Sequence, residues 1–156
     1  MENEDKRPEV WVARRLNRKM CGCMGVTIAY FASKARVQNV TRRFLKNGKE
    51  VKEYEVEYET PQALEEISYG SDMYAETGDY VKYNKVFRNY ESCRECVDNL
   101  NNELMTQDIK NAERSGMITK QEVQKEHCED MMFVRKLENY FDKVNHTDSR
   151  DNLKIF

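Results

Sequence analysis

Apolar and acidic residues alternate with a period of two over residues 52–60. In an extended chain this spacing places every glutamate on one side and Tyr54, Val56 and Tyr58 on the other. A strand with one buried and one solvated face has this pattern. The stretch is therefore predicted to be a half-buried β-strand.

A second β-prone segment, residues 36–45, precedes this strand along the chain. Asn47 and Gly48 separate the two segments, and the dipeptide Asn-Gly favours the tight turn of a β-hairpin. The sequence thus predicts a hairpin over residues 36–59, with basic residues on its first strand and acidic residues on its second.

The length of the hairpin loop decides which residues face each other, because a shift of one residue turns a strand's side chains to the opposite face. A three-residue loop places Arg42 opposite Lys52, which is a pair of like charges. A two-residue loop makes two pairs of opposite charge, Arg36 with Glu59 and Arg42 with Glu53. The two-residue loop is preferred, although it leaves Val40 and Phe44 on the glutamate face without a cover.

The segment before the hairpin predicts a helix and a strand. Apolar residues recur there at near-helical spacing: Val10, Trp11, Leu16 and Met20. Basic residues fall on a separate face: Arg14, Arg15, Arg18 and Lys19. This favours a short amphipathic helix with a basic side. The β-branched and aromatic residues 26–31 then predict a strand that is covered on both faces.

The last third of the chain predicts two helices. Residues 92–95 form a capping box, Ser-Cys-Arg-Glu, and a helix over residues 92–114 follows from it. Gly116 is well placed to end this helix. A second capping box at residues 119–122 opens a helix over residues 120–144. Because the connection is short, the two helices are expected to be antiparallel.

The predicted fold class is α+β: a small, mostly antiparallel sheet that contains the hairpin and is packed by the helical hairpin. Residues 80–90 fit a helix or a strand, and a helix start at residue 92 favours a strand. Residues 68–79 predict a loop. The division is a polar arm over residues 1–8, one domain over residues 9–144, and a polar tail over residues 145–156.

The composition indicates a protein with a strongly polar surface and a single hydrophobic core. The chain has 156 residues, of which 39% are hydrophobic and 35% charged. Its mean hydropathy is −0.92. The uncharged residues 20–33 are too few for a membrane span, which needs about 20 apolar residues. Residues 1–7 are polar, unlike a signal peptide, and five cysteines are an odd number, so we expect a cytoplasmic protein without membrane contact.

Charge is divided unevenly along the chain. Residues 10–49 contain ten bases and no acid, whereas residues 50–156 contain 14 bases and 24 acids. A basic surface of this kind binds nucleic acid in many proteins. The residues that would form it are Arg14, Arg15, Arg18, Lys19, Arg42 and Arg43. The alternative is that the basic half neutralises the acidic half of the same chain, since the basic strand of the hairpin pairs with a glutamate-rich one.

Four cysteines stand in two pairs, Cys21 with Cys23 and Cys93 with Cys96. Four thiols are enough for a structural zinc site, and the alternative is that buried cysteines act as small apolar residues. The second pair also resembles the thioredoxin-like redox motif. That family places a cis-proline beside its cysteines from later in the chain, and this chain has no proline after Pro61.

The other reactive residue types give little support to catalysis. The chain has two histidines. His127 and Cys128 are neighbours on a predicted helix and point in different directions, so they are not expected to form a catalytic pair. We therefore expect no enzymatic activity and no resident cofactor, with a small thiol enzyme as the third hypothesis.

The sequence is most consistent with a non-enzymatic interaction protein, a structural subunit of a larger assembly such as a viral particle or a cytoplasmic complex. Its partners would be other proteins or copies of itself. Nine tyrosines and eight methionines suit a surface that packs against a partner. The alternative is a nucleic-acid-binding protein, zinc-stabilised in one form of the hypothesis, that uses the basic segment 10–49.

Overall fold

The computed structural model describes residues 6–19, 25–59, 73–76 and 81–146, and for residues 140–146 it describes the backbone alone. The described elements follow one another as β1 (Glu9–Lys19), β2 (Gly25–Phe44), β3 (Glu50–Tyr58), β4 (Met73–Ala75), β5 (Val81–Tyr83), α1 (Tyr90–Ser115) and α2 (Lys120–His146). The strands form an antiparallel sheet in the order β4-β1-β2-β3-β5, and both helices pack on it. This confirms the predicted α+β class. The division into a polar N-terminal segment over residues 1–8, one domain and a polar tail stays a prediction.

The first element corrects the predicted N-terminal helix, because residues 9–19 form strand β1. Its apolar residues Val10, Val12 and Leu16 fit a period of two as well as a helical period, and all three are buried. β1 pairs with β2 along its whole length. These long-range hydrogen bonds outweigh the local periodicity on which the helix prediction rested.

The hairpin is present, but its predicted register is wrong. The amide of Leu45 donates to the carbonyl of Lys49 at 2.9 Å, so the loop has three residues. Arg42 consequently faces Lys52. A bulge at Gln38 then shifts the pairing by one residue, which lets inward-facing apolar residues of the two strands meet despite the like charges near the turn.

Two short strands differ from the predictions for residues 68–90. β4 lies within the predicted loop and pairs with β1, while the predicted strand over residues 80–90 is reduced to β5. Residues 60–72 and 77–80 lie outside the described part of the chain. The predicted strand at residues 26–31 is confirmed as part of β2, but Val26 is 49% exposed, so the strand is not covered throughout.

The sheet curls until its two sides meet. β5 pairs with β3, and Phe87, a few residues further on, pairs with Trp11 of β1 through two backbone hydrogen bonds of 2.7 and 2.9 Å. Since β1 and β3 flank β2 on opposite sides, one short segment reaches both only if the sheet is rolled up. The sheet is therefore a partly closed barrel.

The interior of the barrel holds the core. The inward-facing side chains with little or no exposure include Val12, Arg14, Leu16, Phe31, Val56 and Tyr58. On the outside, α1 packs Cys93 and Val97 against Ala32. α2 contributes Val134 and Leu137 to the cluster around Phe31. The two helices thus cover different faces of the same strand pair.

The first half of β2 has one edge that no described strand pairs. Buried polar side chains of the two helices form hydrogen bonds with the backbone N–H and carbonyl groups of this edge. The Asn101 amide accepts the Tyr30 N–H at 2.7 Å and donates to the Tyr30 carbonyl at 3.1 Å, so it replaces a neighbouring strand. Glu138 accepts the Ala32 N–H at 2.6 Å. Arg94 holds the second oxygen of Glu138 at 2.5 Å. These contacts fix both helices against the barrel.

The helix boundaries agree with the predicted 92–114 and 120–144 to within two residues. The first start signal was misread, because Asn89 caps α1 by accepting the N–H of Ser92 at 2.8 Å. Gly116 ends this helix as predicted, with φ of 65°. Thr119 caps α2 as predicted by accepting the N–H of Glu122 at 3.2 Å. Neither described helix has an apolar stretch sufficient to span a bilayer.

We predict that Asn101→Ala lowers the free energy of unfolding by about 2–4 kcal/mol, because it leaves a buried N–H and a buried carbonyl of Tyr30 without partners. Urea unfolding followed by circular dichroism measures the change. Asn102→Ala, at an exposed position of the same helix, should change it by less than about 0.5 kcal/mol. Equal effects of the two substitutions would contradict the edge role of Asn101.

Candidate functional site

A groove opens between the two helices and the first residues of β2. It encloses about 430 Å³, a size typical of small-ligand pockets. Apolar side chains form much of its wall: Val26, Ile28, Leu104, Met105, Ile118 and Val123. Val26 is 49% exposed, so the apolar surface continues to the rim of the groove. The wall could therefore bury an apolar side chain of a ligand.

Charged side chains line the same groove: Arg18, Asp108, Glu126, His127 and Asp130. Burial raises the pKa of Asp130 to about 6, and Arg18 opposes this increase while the carboxylates of Glu126, Glu129 and Asp108 add to it. Among the described lining residues, three carboxylates face one guanidinium. The described part of the groove therefore carries net negative charge at neutral pH.

His127 does not change this balance. Burial lowers the pKa of its imidazole, although the carboxylate of Asp108 opposes the shift, so the ring is neutral at pH 7. Burial also raises the pKa of Asp108, with His127 opposing. The neighbouring Cys128 is exposed. The geometry suits a ligand that carries a cation beside an apolar group.

Of the four cysteines predicted as zinc ligands, the structure describes Cys93 and Cys96. Cys21 and Cys23 lie outside the described residues, so the four-thiol zinc site stays a prediction. The described side chains contain no group of three or more potential ligands that could hold a metal ion. Cys93 is buried beside Ala32, and burial raises the pKa of its thiol to about 12. A reactive cysteine needs the opposite shift, so the thioredoxin-like interpretation is not supported at Cys93.

The candidate nucleic-acid residues do not share one surface. In a strand, Arg14 and Arg15 point to opposite faces: the first is buried in the barrel and the second is exposed outside it. Arg18 lies in the groove. Lys19 ends β1, and Arg42 and Arg43 lie on the hairpin. The predicted grouping of the first four on one basic helix face is therefore wrong.

Arg14 instead belongs to the core. Its guanidinium carbon lies 3.9 Å from the ring centroid of Tyr58 and 5.6 Å from that of Phe31. Its Nε donates to the carbonyl of Glu76 at 2.7 Å. Burial lowers its pKa to about 10, which leaves it protonated at neutral pH. The alternation of residues 10, 12, 14 and 16 was the signal in the sequence that could have placed it inside.

Acidic residues neutralise part of the basic half on the outer face of the barrel. Glu9 lies 3.4 Å from Lys34 and 3.0 Å from Arg36. Arg36 also contacts Glu59 at 2.9 Å, a predicted charge pair that forms despite the different register. Lys34 and Arg36 are therefore paired with acidic residues of the same chain.

A second candidate surface is the hairpin arm, defined as residues 39–50. Every residue of the arm is exposed. Three of them are large and apolar: Val40 at 45% exposure, Phe44 at 71% and Leu45 at 41%. The arm also has four bases and one acid. It combines apolar and cationic side chains, as the groove combines apolar and anionic ones.

The groove predicts a pH dependence of stability. Because the pKa of Asp130 is raised from 3.8 to about 6 on folding, the folded chain binds more protons between these values and the free energy of unfolding falls as pH rises through them. Asp130→Asn should remove the contribution of Asp130 to this dependence and raise the free energy of unfolding at pH 7 by about 1 kcal/mol, after allowance for solvent screening. Urea unfolding at several pH values between 4 and 7 measures it.

Glu113→Gln serves as the control, since it removes the same charge from an exposed position of α1 whose carboxylate does not shift the pKa of Asp130. If this control flattened the pH dependence as much as Asp130→Asn, general charge repulsion and not the burial of Asp130 would be its cause.

Thiol labelling tests the position of Cys93. At neutral pH we expect iodoacetamide to modify Cys128 in the folded chain and to leave Cys93 unmodified, because the first is exposed and the second is buried with a raised pKa. Mass spectrometry of the peptides gives the extent at each site, and labelling in urea is the control. Equal labelling of both cysteines in the folded chain would restore the thiol-enzyme hypothesis.

Comparison with known proteins gives no relative from which function could be transferred: no protein-family model, no curated protein and no solved structure matches the chain. Inferences about its function therefore rest on its own residues and contacts.

Proposed function

We propose that the protein is a non-enzymatic interaction protein, a structural subunit of a larger assembly, and that the hairpin arm is its main contact surface. The supporting observation is the exposed Phe44, which shares one face of the arm with the exposed Val40. The assembly would lie in the cytoplasm or, for a viral protein, in the particle.

The geometry of the arm supports this proposal. β1 pairs with β2 no further than Arg36, and β5 pairs with β3 no further than Tyr54. In the described structure the arm beyond these positions is a ribbon of two strands. Such a ribbon is marginally stable alone, and its apolar side chains lose contact with water only when a partner covers them.

The basic residues of the arm do not by themselves require a partner, since charged residues on a free ribbon also prevent aggregation. That explanation does not extend to Phe44. Val40, Tyr54 and Phe44 lie on the face that continues the barrel interior, yet Phe44 lies beyond the core. An inward-facing apolar residue placed outside the core is typical of a contact surface.

Affinity purification of the tagged chain from the cells in which it naturally occurs tests the proposal. We expect Phe44→Ala to lose protein partners that the wild type retains, because truncation removes an exposed aromatic anchor. Quantitative mass spectrometry of the co-purified proteins is the measurement. Nuclease treatment before purification removes proteins bridged by nucleic acid.

Thr41→Ala is the matched control, because it truncates an exposed residue on the opposite face of the arm. Both variants should unfold within about 0.5 kcal/mol of the wild type. The proposal fails if Phe44→Ala and Thr41→Ala co-purify with the same proteins in the same amounts.

Nucleic-acid binding is a second candidate function, now confined to the arm. A two-stranded ribbon fits the major groove of DNA, and Arg42, Arg43, Lys46 and Lys49 stand on this one. Nucleic-acid binding would be favoured if the chain binds duplex DNA and this binding weakens steeply with salt. The binding should also be lost when these four basic residues are replaced. We rank nucleic-acid binding below protein binding, because contacts with DNA phosphates need basic side chains and give no role to the exposed Phe44.

A further inference from the structure

The geometry points to a head-to-tail contact between copies of this chain, in which the hairpin arm of one copy docks in the groove between α1 and α2 of the next. This inference rests on the proposed interaction function and names a second copy as the partner.

Charge complementarity is the first support. The arm has four bases against Glu50 alone, and Arg42 already contacts Glu50 at 3.5 Å. The described lining of the groove has three carboxylates against Arg18. Opposite potentials on two surfaces favour their encounter and fix their orientation.

Apolar complementarity is the second support. Phe44 and Leu45 are the exposed apolar residues next to the arm's turn. The groove offers Leu104, Met105 and Ile118 within a volume of about 430 Å³. An aromatic side chain that enters an apolar pocket with a polar rim is the common form of an interface anchor.

The positions of the two surfaces exclude contact within one copy. The groove is lined by residues 26–28 at the start of β2, and Phe44 is the last residue of the same strand. Eighteen residues of strand correspond to a span of up to about 60 Å, reduced by the bulges and the curl. Since the strand pairs along its middle in the barrel, the arm cannot fold back to its own groove.

Arm and groove are different surfaces, so the contact is heterologous. Each copy that donates its arm still has a free groove, and each copy that accepts an arm still has a free arm. Such contacts form rings if the rotation closes and open filaments if it does not. A structural subunit of a larger assembly has this property.

Sedimentation velocity of the purified full chain tests the contact, with concentrations from about 1 μM to about 1 mM to cover weak association. The wild type should form species larger than a dimer as concentration rises. Phe44→Ala and Asp108→Lys should each weaken association by about thirtyfold, the first through the arm and the second through the groove.

Two controls match these variants. Thr41→Ala truncates the other face of the arm, and Glu113→Lys makes the same charge reversal at an exposed position of α1 outside the groove lining. Both should associate as the wild type does. Circular dichroism and urea unfolding show whether each variant is folded.

A mixture of the two weakened variants gives the sharpest result. Phe44→Ala retains an intact groove and Asp108→Lys retains an intact arm, so the mixture should form a one-to-one dimer and nothing larger. Monomeric wild type up to about 1 mM overturns the head-to-tail contact. The contact is also overturned if Asp108→Lys associates as strongly as the wild type.

The outcome is independent of the test of the proposed function. If the purified chain stays monomeric while Phe44→Ala still loses partners in the affinity purification, the arm binds a different protein and only the self-contact fails. If neither experiment responds to Phe44→Ala, both proposals fail.

Discussion

The unpaired edge of β2 is the constraint on which the arrangement of the helices depends. A strand edge in the protein interior must have its N–H and carbonyl groups satisfied, and beside Tyr30 and Ala32 no described strand does so. Asn101 and Glu138 supply the missing partners from two different helices. Burial disfavours the ionised carboxylate of Glu138 and so raises its pKa, and the N–H of Ala32 and the guanidinium of Arg94 oppose this increase. The edge therefore positions α1 and α2 together.

The groove follows from that arrangement. Because both helices are held against the same half of β2, their facing sides leave a space beside the start of the strand, and acidic residues from each helix line it. The other end of β2 extends beyond the strands that flank it and becomes the arm. One long strand thus carries two unlike surfaces at its two ends. This polarity is the physical basis of the proposed head-to-tail contact.

Local sequence predicted the elements whose signals are local. Gly116 and Thr119 marked the connection between the helices, since a left-handed residue and a capping hydroxyl act within one turn. The glutamate–tyrosine alternation identified β3. The groove was not predicted, because its acidic residues lie on α1 and α2 and meet Arg18 of β1 only after the chain has folded. Arg14 was misplaced for a related reason: a helical and a strand period both fit residues 10–20, and only pairing with β2 distinguishes them.

The sequence by itself determined the α+β class, the hairpin and the helical pair, because hydrophobic period and capping residues act between near neighbours in the chain. Val40 and Phe44 were predicted without a cover on the glutamate face, whereas the observed register places them on the tyrosine face. Tertiary structure alone decided the hairpin register, the curl of the sheet through Trp11 and Phe87, and the burial of Arg14. These depend on contacts between distant residues, whose partners local pattern does not specify.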